Sequence, residues 1–560
     1  MDSSRTVTPV APTPSFRPFG GMIADLKARA PYYLSDWTDA WTYRVVPATA
    51  MIFFANVLPG IAFSLDLIET TDQYGVTEVL LSSFMAAFIF SVFSCQPLCI
   101  AGVTGPITVF NKTIYDILKT RPDAPEYLHF IGWVYLWAAI MHWIAAALNA
   151  VNFLRYVTRF SCDTFGFYVA WVYLQYGVQV LTRQFNMDMV NSTSVFVSII
   201  LALVMLVTGH LFGMLARSGL GHRLARRFCA DYGMPISVIA CSGLAYWGRF
   251  NLANPLTLPT SGAFLPAGGR PWLVKFWELD GKWIGIALPF GFVLFILFYF
   301  DHNVSSLIAQ GSEFPLRKPP GFHWDFFWLG ITTFIAGLLG IPAPNGLIPQ
   351  APMHTSSLVI MGIQRKDDPE KSSIELTTAQ NYEPDHPQAD DTQNRSSEGG
   401  DTLIEEAMGV VEQRVSNLAQ GALCIVLMTG PFQHVLGLVP RGVLAGLFWF
   451  MGTDALRTSG VTEKLLYLIR DPALVPRREP LRQVRRSRVA LFVAIELLGF
   501  GATMAITQTI AAIGFPIVIM LLVPIRTLVI PRLPFTIEEL KVLDGPTASP
   551  FTMASVGGSI

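Results

Sequence analysis

The sequence predicts an all-α polytopic membrane protein, and three observations carry that prediction. Of its 560 residues, 52% are hydrophobic and only 14% charged, with a mean hydropathy of +0.45, a balance foreign to soluble multidomain proteins. Runs such as Leu128 to Ala150, Ser194 to Leu215 and Trp283 to Phe300 contain no Asp, Glu, Lys or Arg and are long enough to cross a hydrocarbon layer of about 30 Å. Two further apolar stretches are broken by clustered Gly and Pro, which lipid tolerates only where the backbone lines a cavity inside the protein.

Hydropathy with Gly/Pro punctuation places spans near 44–65, 76–94, 97–117, 128–151, 164–182, 193–216, 235–250, 283–301, 322–340, 345–363, 415–437, 439–457, 489–507 and 510–530. The third, tenth and twelfth are short or interrupted, so hydropathy alone supports roughly ten to fourteen crossings. Alternate loops hold Arg155 and Arg159, then Arg217, Arg223, Arg226 and Arg227, then Arg317 and Lys318, then Lys464, Arg470 and the run Arg477 to Arg488. By the positive-inside rule these loops and both termini are cytosolic. The first forty residues are polar and contain no signal-peptide core, so the first span is expected to act as its own insertion signal. The polar, acidic segment Gln364 to Glu412 reads as a disordered cytoplasmic loop.

Composition also narrows function. A formal net charge of −1 gives no basic field for nucleic acid. Cys95, Cys99, Cys162, Cys229, Cys241 and Cys424 lack the paired spacing of a disulfide framework or zinc site and read as reduced packing residues. An embedded enzyme would need a nucleophile–base pair or a metal cluster within the spans, and none is visible in the sequence. No enzymatic activity, cofactor or metal is therefore expected.

The first broken stretch runs Gln96-Pro97-Leu98-Cys99-Ile100-Ala101-Gly102-Val103-Thr104-Gly105-Pro106. Pro106 suits the first turn of a half-helix running toward Asp116, whose free N–H groups carry roughly half a positive charge and suit an anion. The second, Gly340 to Pro352, contains Pro342, Pro344, Asn345, Gly346, Pro349 and Gln350 and repeats the device seven spans later. Paired interruptions in corresponding halves point to a transporter of inverted repeats with a midplane site. Between them, Asp301 closes the charge-free run from Trp283; a carboxylate deep in the bilayer costs about 2.5–3.5 kcal/mol unless water or a partner meets it. Glu496 also lies within an apolar run, without a motif around it, and His142 and His210 read as buried hydrogen-bonding groups.

Gln96-Pro97-Leu98 with Gly105-Pro106, Phe300-Asp301, Glu412-Gln413-Arg414-Val415-Ser416, and Pro440 with Gly446 to Gly452 resemble the bicarbonate-transporter (anion-exchanger) superfamily. These motifs fall in chain order over roughly residues 35–535, and Gly340 to His354 looks most like its plant and fungal borate exporters. The resemblance implies fourteen segments in two inverted halves of seven. A core domain (35–151 and 283–437) would move against a gate domain (164–250 and 438–535), usually as a homodimer, between cytoplasmic tails 1–34 and 536–560. It implies a substrate-binding site of Thr104, Gly105, Pro106, Asp301, Gly346 and Gln350, with Gln96 and Asn345 as secondary candidates. The animal exchangers place a basic residue where Gln350 stands, which favours borate over chloride–bicarbonate exchange and leaves the charge to the helix ends, with hydrogen bonds from Gln350 and Thr104. The expected function is export of borate at the plasma membrane, with Asp301 taking a coupling proton; the alternative is exchange of bicarbonate or another small inorganic anion.

Overall fold

The computed structural model describes residues 17–187, 190–260, 262–365, 403–476 and 479–557. Two short helices, α1 (Gly20–Arg29) and α2 (Tyr33–Thr38), precede the long apolar helices α3 (Val45–Thr71) and α4 (Val76–Val92). The first interruption then forms strand β1 (Ala101–Gly102) and helix α5 (Gly105–Lys119). Next come α6 (Tyr127–Ala147), α7 (Arg159–Thr182), α8 (Ser192–Arg217), α9 (Arg223–Leu244) and the single turn α10 (Arg249–Leu252). In the second half, α11 (Gly281–Ala309) and α12 (Phe322–Leu339) lead into β2 (Asn345–Gly346) and the short α13 (Gln350–Ser357). Strands β3 (Val359–Arg365) and β4 (Leu403–Val410) follow, then α14 (Val415–Leu427), α15 (Gly430–Leu436), α16 (Arg441–Thr458), α17 (Gly460–Ile469), α18 (Arg486–Thr507), α19 (Phe515–Met520), α20 (Leu522–Pro524) and α21 (Ile537–Leu543).

Among the described residues, seven helical stretches are long and apolar enough to cross a bilayer: α3, α6, α8, α11, α12, α18 and residues 512–532; α14 with α15 makes an eighth if counted as one bent span. That last pair turns by 97°. Pro431 in the first turn of α15 cannot donate back to the preceding turn, so the helix must restart there. The last predicted span, 510–530, coincides with the stretch 512–532, whose backbone runs through short 3-10, α and π turns.

Three expectations need correction. The tenth predicted span, 345–363, is not a helix throughout: α13 lasts eight residues and strand begins at Val359. Both ends of the supposed disordered loop are ordered, because β3 pairs antiparallel with β4 from Val359↔Val410 to Arg365↔Leu403. Neither VIMGIQR nor LIEEAMGV alternates apolar with polar residues, so no period-2 signal marked the strands against the acidic composition around them; residues 366–402 lie outside the described residues. Finally, the seventh helix begins at Arg223 rather than near 235, since its basic first turns continue directly into the apolar part.

Two groups of helices pack within themselves. In one, α6 packs on α11 and α12, and α14 on α3 and α4; in the other, α16 packs on α7 and α8, and α18 on α7 and α17. They meet where α11 touches α19 and where α3 touches α9 and α16. The first group is tied at one end by a buried ion cluster. Asp36 accepts from Arg29 (2.8 Å), Lys318 (2.9 Å) and Arg414 (2.9 Å), and Arg414 also donates to the carbonyls of Ser91 and Ser94. Glu412 accepts from the backbone N–H groups of Arg317 and Lys318. Burial pushes its carboxyl above the usual range while those two donors and nearby cations oppose the shift.

Candidate functional site

The two interruptions form a single unit. Cys95 and Gln96 donate their backbone N–H groups to the Asp325 carboxylate (2.5 and 2.9 Å), and the Gln96 side chain accepts from Leu98 N at 3.1 Å. The backbone freed by Gly and Pro pairs with its counterpart: Ala101 lies opposite Gly346 and Gly102 opposite Asn345, and Leu347 N donates to Ile100 O at 2.9 Å. This satisfies groups that lipid could not. The approach is close enough to demand glycine. A Cβ on Gly102 would collide with Asn56 Oδ1, and one on Gly346 would lie 2.9 Å from the backbone of His302.

Each strand leads into a helix start. Thr104 is the extended N-cap of α5, with Pro106 in the first turn, where a missing N–H costs nothing. Pro349 leads into α13. Thr104, Gly105 and Pro106 from the first start, and Gly346 through Pro349 from the second, line one cavity of about 30 Å³. Its other walls are Phe63 on α3, Tyr168, Val169, Val172 and Tyr173 on α7, and Asp301 on α11. Two helix N-termini thus meet a carboxylate across a space that holds only a few heavy atoms.

Asp301 is not at a helix end, because α11 continues to Ala309. It is 3% exposed, and its Oδ2 accepts from Asn345 Nδ2 at 3.2 Å. Asn345 in turn accepts from Gly346 N at 2.8 Å, which fixes the amide orientation. Gln350 lies one residue beyond the cavity lining. Its Nε2 donates to the Tyr173 hydroxyl at 2.7 Å and to Ala55 O at 3.1 Å. That carbonyl is available because Pro59, four residues on and inside α3, has no N–H to offer it. The expected hydrogen bonds from Gln350 are therefore spent on protein groups. Among the described residues Thr104 Oγ1, Asp301 Oδ1 and Gln350 Oε1 have no partner, which for buried polar atoms marks room for a ligand or water.

Of the sequence candidates, the structure brings Thr104, Gly105, Pro106, Asp301 and Gly346 to the cavity wall, with Asn345 and Gln350 beside it. Gln96 is elsewhere, holding the turn before β1 and linked to Asp325. Glu496 is paired with Lys464 at 2.6 Å, His142 contacts the Ala138 carbonyl and His210 contacts Thr453. Sequence reasoning missed Tyr173 and Phe63, which pack edge to face with centroids 5.1 Å apart and both meet Phe448 on α16. It also missed His354, wholly buried between Leu98 O (3.1 Å) and Ser416 Oγ (2.6 Å), where it ties α13 to the first interruption and to α14. An aromatic in an apolar run carries no positional signal, but His354 stands four residues after Gln350, on the same helix face.

Comparison with known proteins agrees with this architecture. Over 548 residues the chain is 41% identical to Boron transporter 1 of Saccharomyces cerevisiae, covering 96% of this chain and 87% of that protein. It is 26% identical to the human Band 3 anion transport protein over 553 residues, 95% of this chain and 56% of Band 3. The solved structure of murine Solute Carrier 26 family member A9, an anion transporter in the inward-facing state, shares the fold with a TM-score of 0.51 at 12% identity, covering 95% of this chain and 74% of that one. Residues 17–194, 179–381 and 376–548 match the HCO3- transporter integral membrane domain, and with almost the whole described chain so matched, the protein belongs to that family of integral membrane transporters.

Proposed function

We propose that this transporter exports borate or boric acid, and that Thr104, Gly105, Pro106, Asp301, Gly346 and Gln350 form its substrate site. The observation that carries the reading is the cavity between two helix starts in which a carboxylate oxygen and a threonine hydroxyl stand unpartnered. No Lys or Arg is among its lining residues. Partial positive charge from the helix ends suits an anion, while Asp301 accepts hydrogen bonds from substrate hydroxyls. The relative named as a boron transporter supports the same substrate.

Movement is assigned to the two packed groups of helices, as two inverted halves of seven segments arranged into core and gate. The Gln350–Tyr173 hydrogen bond and the packing of Phe63 against Tyr173 and Phe448 cross between them, so these must part for the site to change sides. A proton is placed on Asp301 in one half of the cycle: ionised, it accepts from substrate, and protonated, it lets the empty site return without net charge. The working form is a homodimer in the plasma membrane with both termini cytosolic.

The test uses purified protein in liposomes, following boron under imposed pH and potential gradients. Protein-dependent boron flux driven by a pH gradient is expected. Flux of bicarbonate without flux of boron would replace this reading with anion exchange.

A further inference from the structure

The polar atoms at the site divide unequally between donors and acceptors. Asp301 Oδ1 and Gln350 Oε1 are unpartnered among the described residues, and an amide oxygen or ionised carboxylate can only accept. The Gln350 orientation is not arbitrary, because its nitrogen faces the Ala55 carbonyl, which cannot donate. The Tyr173 hydroxyl accepts from Gln350 and keeps its own hydrogen, and Thr104 Oγ1, also unpartnered, can donate or accept. A ligand must therefore bring hydroxyl hydrogens to Asp301 and oxygen lone pairs to Tyr173, Thr104 and the helix starts.

Chloride or nitrate brings no hydrogen at all. It would leave the acceptors bare and set a negative charge against the carboxylate. A small centre bearing several hydroxyls satisfies both kinds of group at once within the cavity of about 30 Å³. Nothing in the lining depends on boron itself.

We propose that the site selects by hydroxyl pattern rather than by charge, and that it carries other small uncharged hydroxy acids, arsenous acid As(OH)3 and germanic acid Ge(OH)4 being the probes that match it. This rests on the borate reading above. Sites built to bind a substrate hydroxyl reject analogues lacking it by on the order of 10⁴-fold, so simple anions are poor competitors.

The experiment follows boron and arsenic uptake together in liposomes holding the full chain. Arsenous and germanic acids should inhibit boron uptake at concentrations within about tenfold of boric acid itself, a difference of about 1.4 kcal/mol. Chloride and nitrate should not inhibit at a hundredfold excess, and arsenic uptake should depend on the protein. Thr104→Val, which removes an unpartnered hydroxyl and should leave thermal stability unchanged, should lower both fluxes in parallel. Boron flux that ignores both hydroxy acids, or that chloride inhibits equally, overturns the inference while leaving the borate reading intact. Arsenic flux without boron flux overturns the borate reading and keeps the hydroxyl class.

Discussion

Asp36 and Asp301 are both buried carboxylates, 0% and 3% exposed, in opposite situations. Asp36 meets two guanidinium groups and an ammonium within 2.9 Å. Asp301 has a single neutral amide and one oxygen with no partner. The first carboxylate closes a cluster joining α2, α14 and the segment before α12; the second keeps one oxygen unpartnered on a residue that lines a cavity. Burial alone does not distinguish a structural acid from a functional one. Nor does an unmet oxygen by itself, since among the described residues Glu412 Oε2 and Glu496 Oε2 lack a hydrogen-bond partner too; what sets Asp301 apart is that it also lines the cavity between the two helix starts, where an unmet polar atom, costing about 1–3 kcal/mol, has room for a ligand.

The sharpest way to break this comparison is to neutralise each acid in turn. Asp36→Asn should leave Arg414 buried without its ion-pair partner and Arg29 with only Glu412 at 3.8 Å, a loss of about 3–5 kcal/mol. Little monodisperse protein should survive extraction, and an unchanged melting temperature would mean that the cluster is not structural. Asp301→Asn should keep its melting temperature, because shape is retained and a buried charge is removed. Boron flux should nevertheless fall by the worth of a charged hydrogen bond, about 1.5–3 kcal/mol or roughly tenfold to a hundredfold. Wild-type flux would show that the open oxygen serves no substrate.

Gln350→Arg probes the neighbouring wall. An arginine N–H can still reach the Ala55 carbonyl, but the Oε1 acceptor is lost and a fixed cation is added. Boron flux should drop roughly tenfold, about 1.4 kcal/mol, while simple anions gain, since added charge favours charge over hydroxyl pattern. Liposome assays of boron and chloride side by side decide it. The smallest effect is expected far from the cavity, at Glu539 on α21. Its bond to Arg485 (2.9 Å) and the Thr536 N–H hold its carboxyl down at about 2. A depressed carboxyl stabilises the fold above its unfolded value and loses that contribution as pH falls through the folded one. The melting temperatures of wild type and Glu539→Gln should therefore differ slightly at neutral pH and converge as pH falls from about 4.5 toward 2; a constant gap would rule this out.

Much of the candidate site could be read in advance because its parts break local rules. Gly and Pro at 102–106 and 340–352 cannot continue a helix, and Asp301 cannot rest in lipid unaided, so each is conspicuous against an apolar background. Tyr173, Phe63 and His354 break no rule where they stand. The reading of residues 345–363 as a span failed for a related reason: the apolar count could not separate eight residues of helix from the strand that follows.

The sequence by itself determined that this chain lives in a membrane, where its longest apolar stretches run, and where two of its segments must stop being helical. Those properties follow from hydration of backbone and side chain, and they act residue by residue. Only the tertiary structure decided that the two stops pair as β1 and β2, that α3 and α7 supply the facing wall, and that Pro59 frees a carbonyl for Gln350. It also decided which buried acid is neutralised and which is left open. Those outcomes depend on which faces meet across hundreds of residues, and no local preference of the chain encodes that distance.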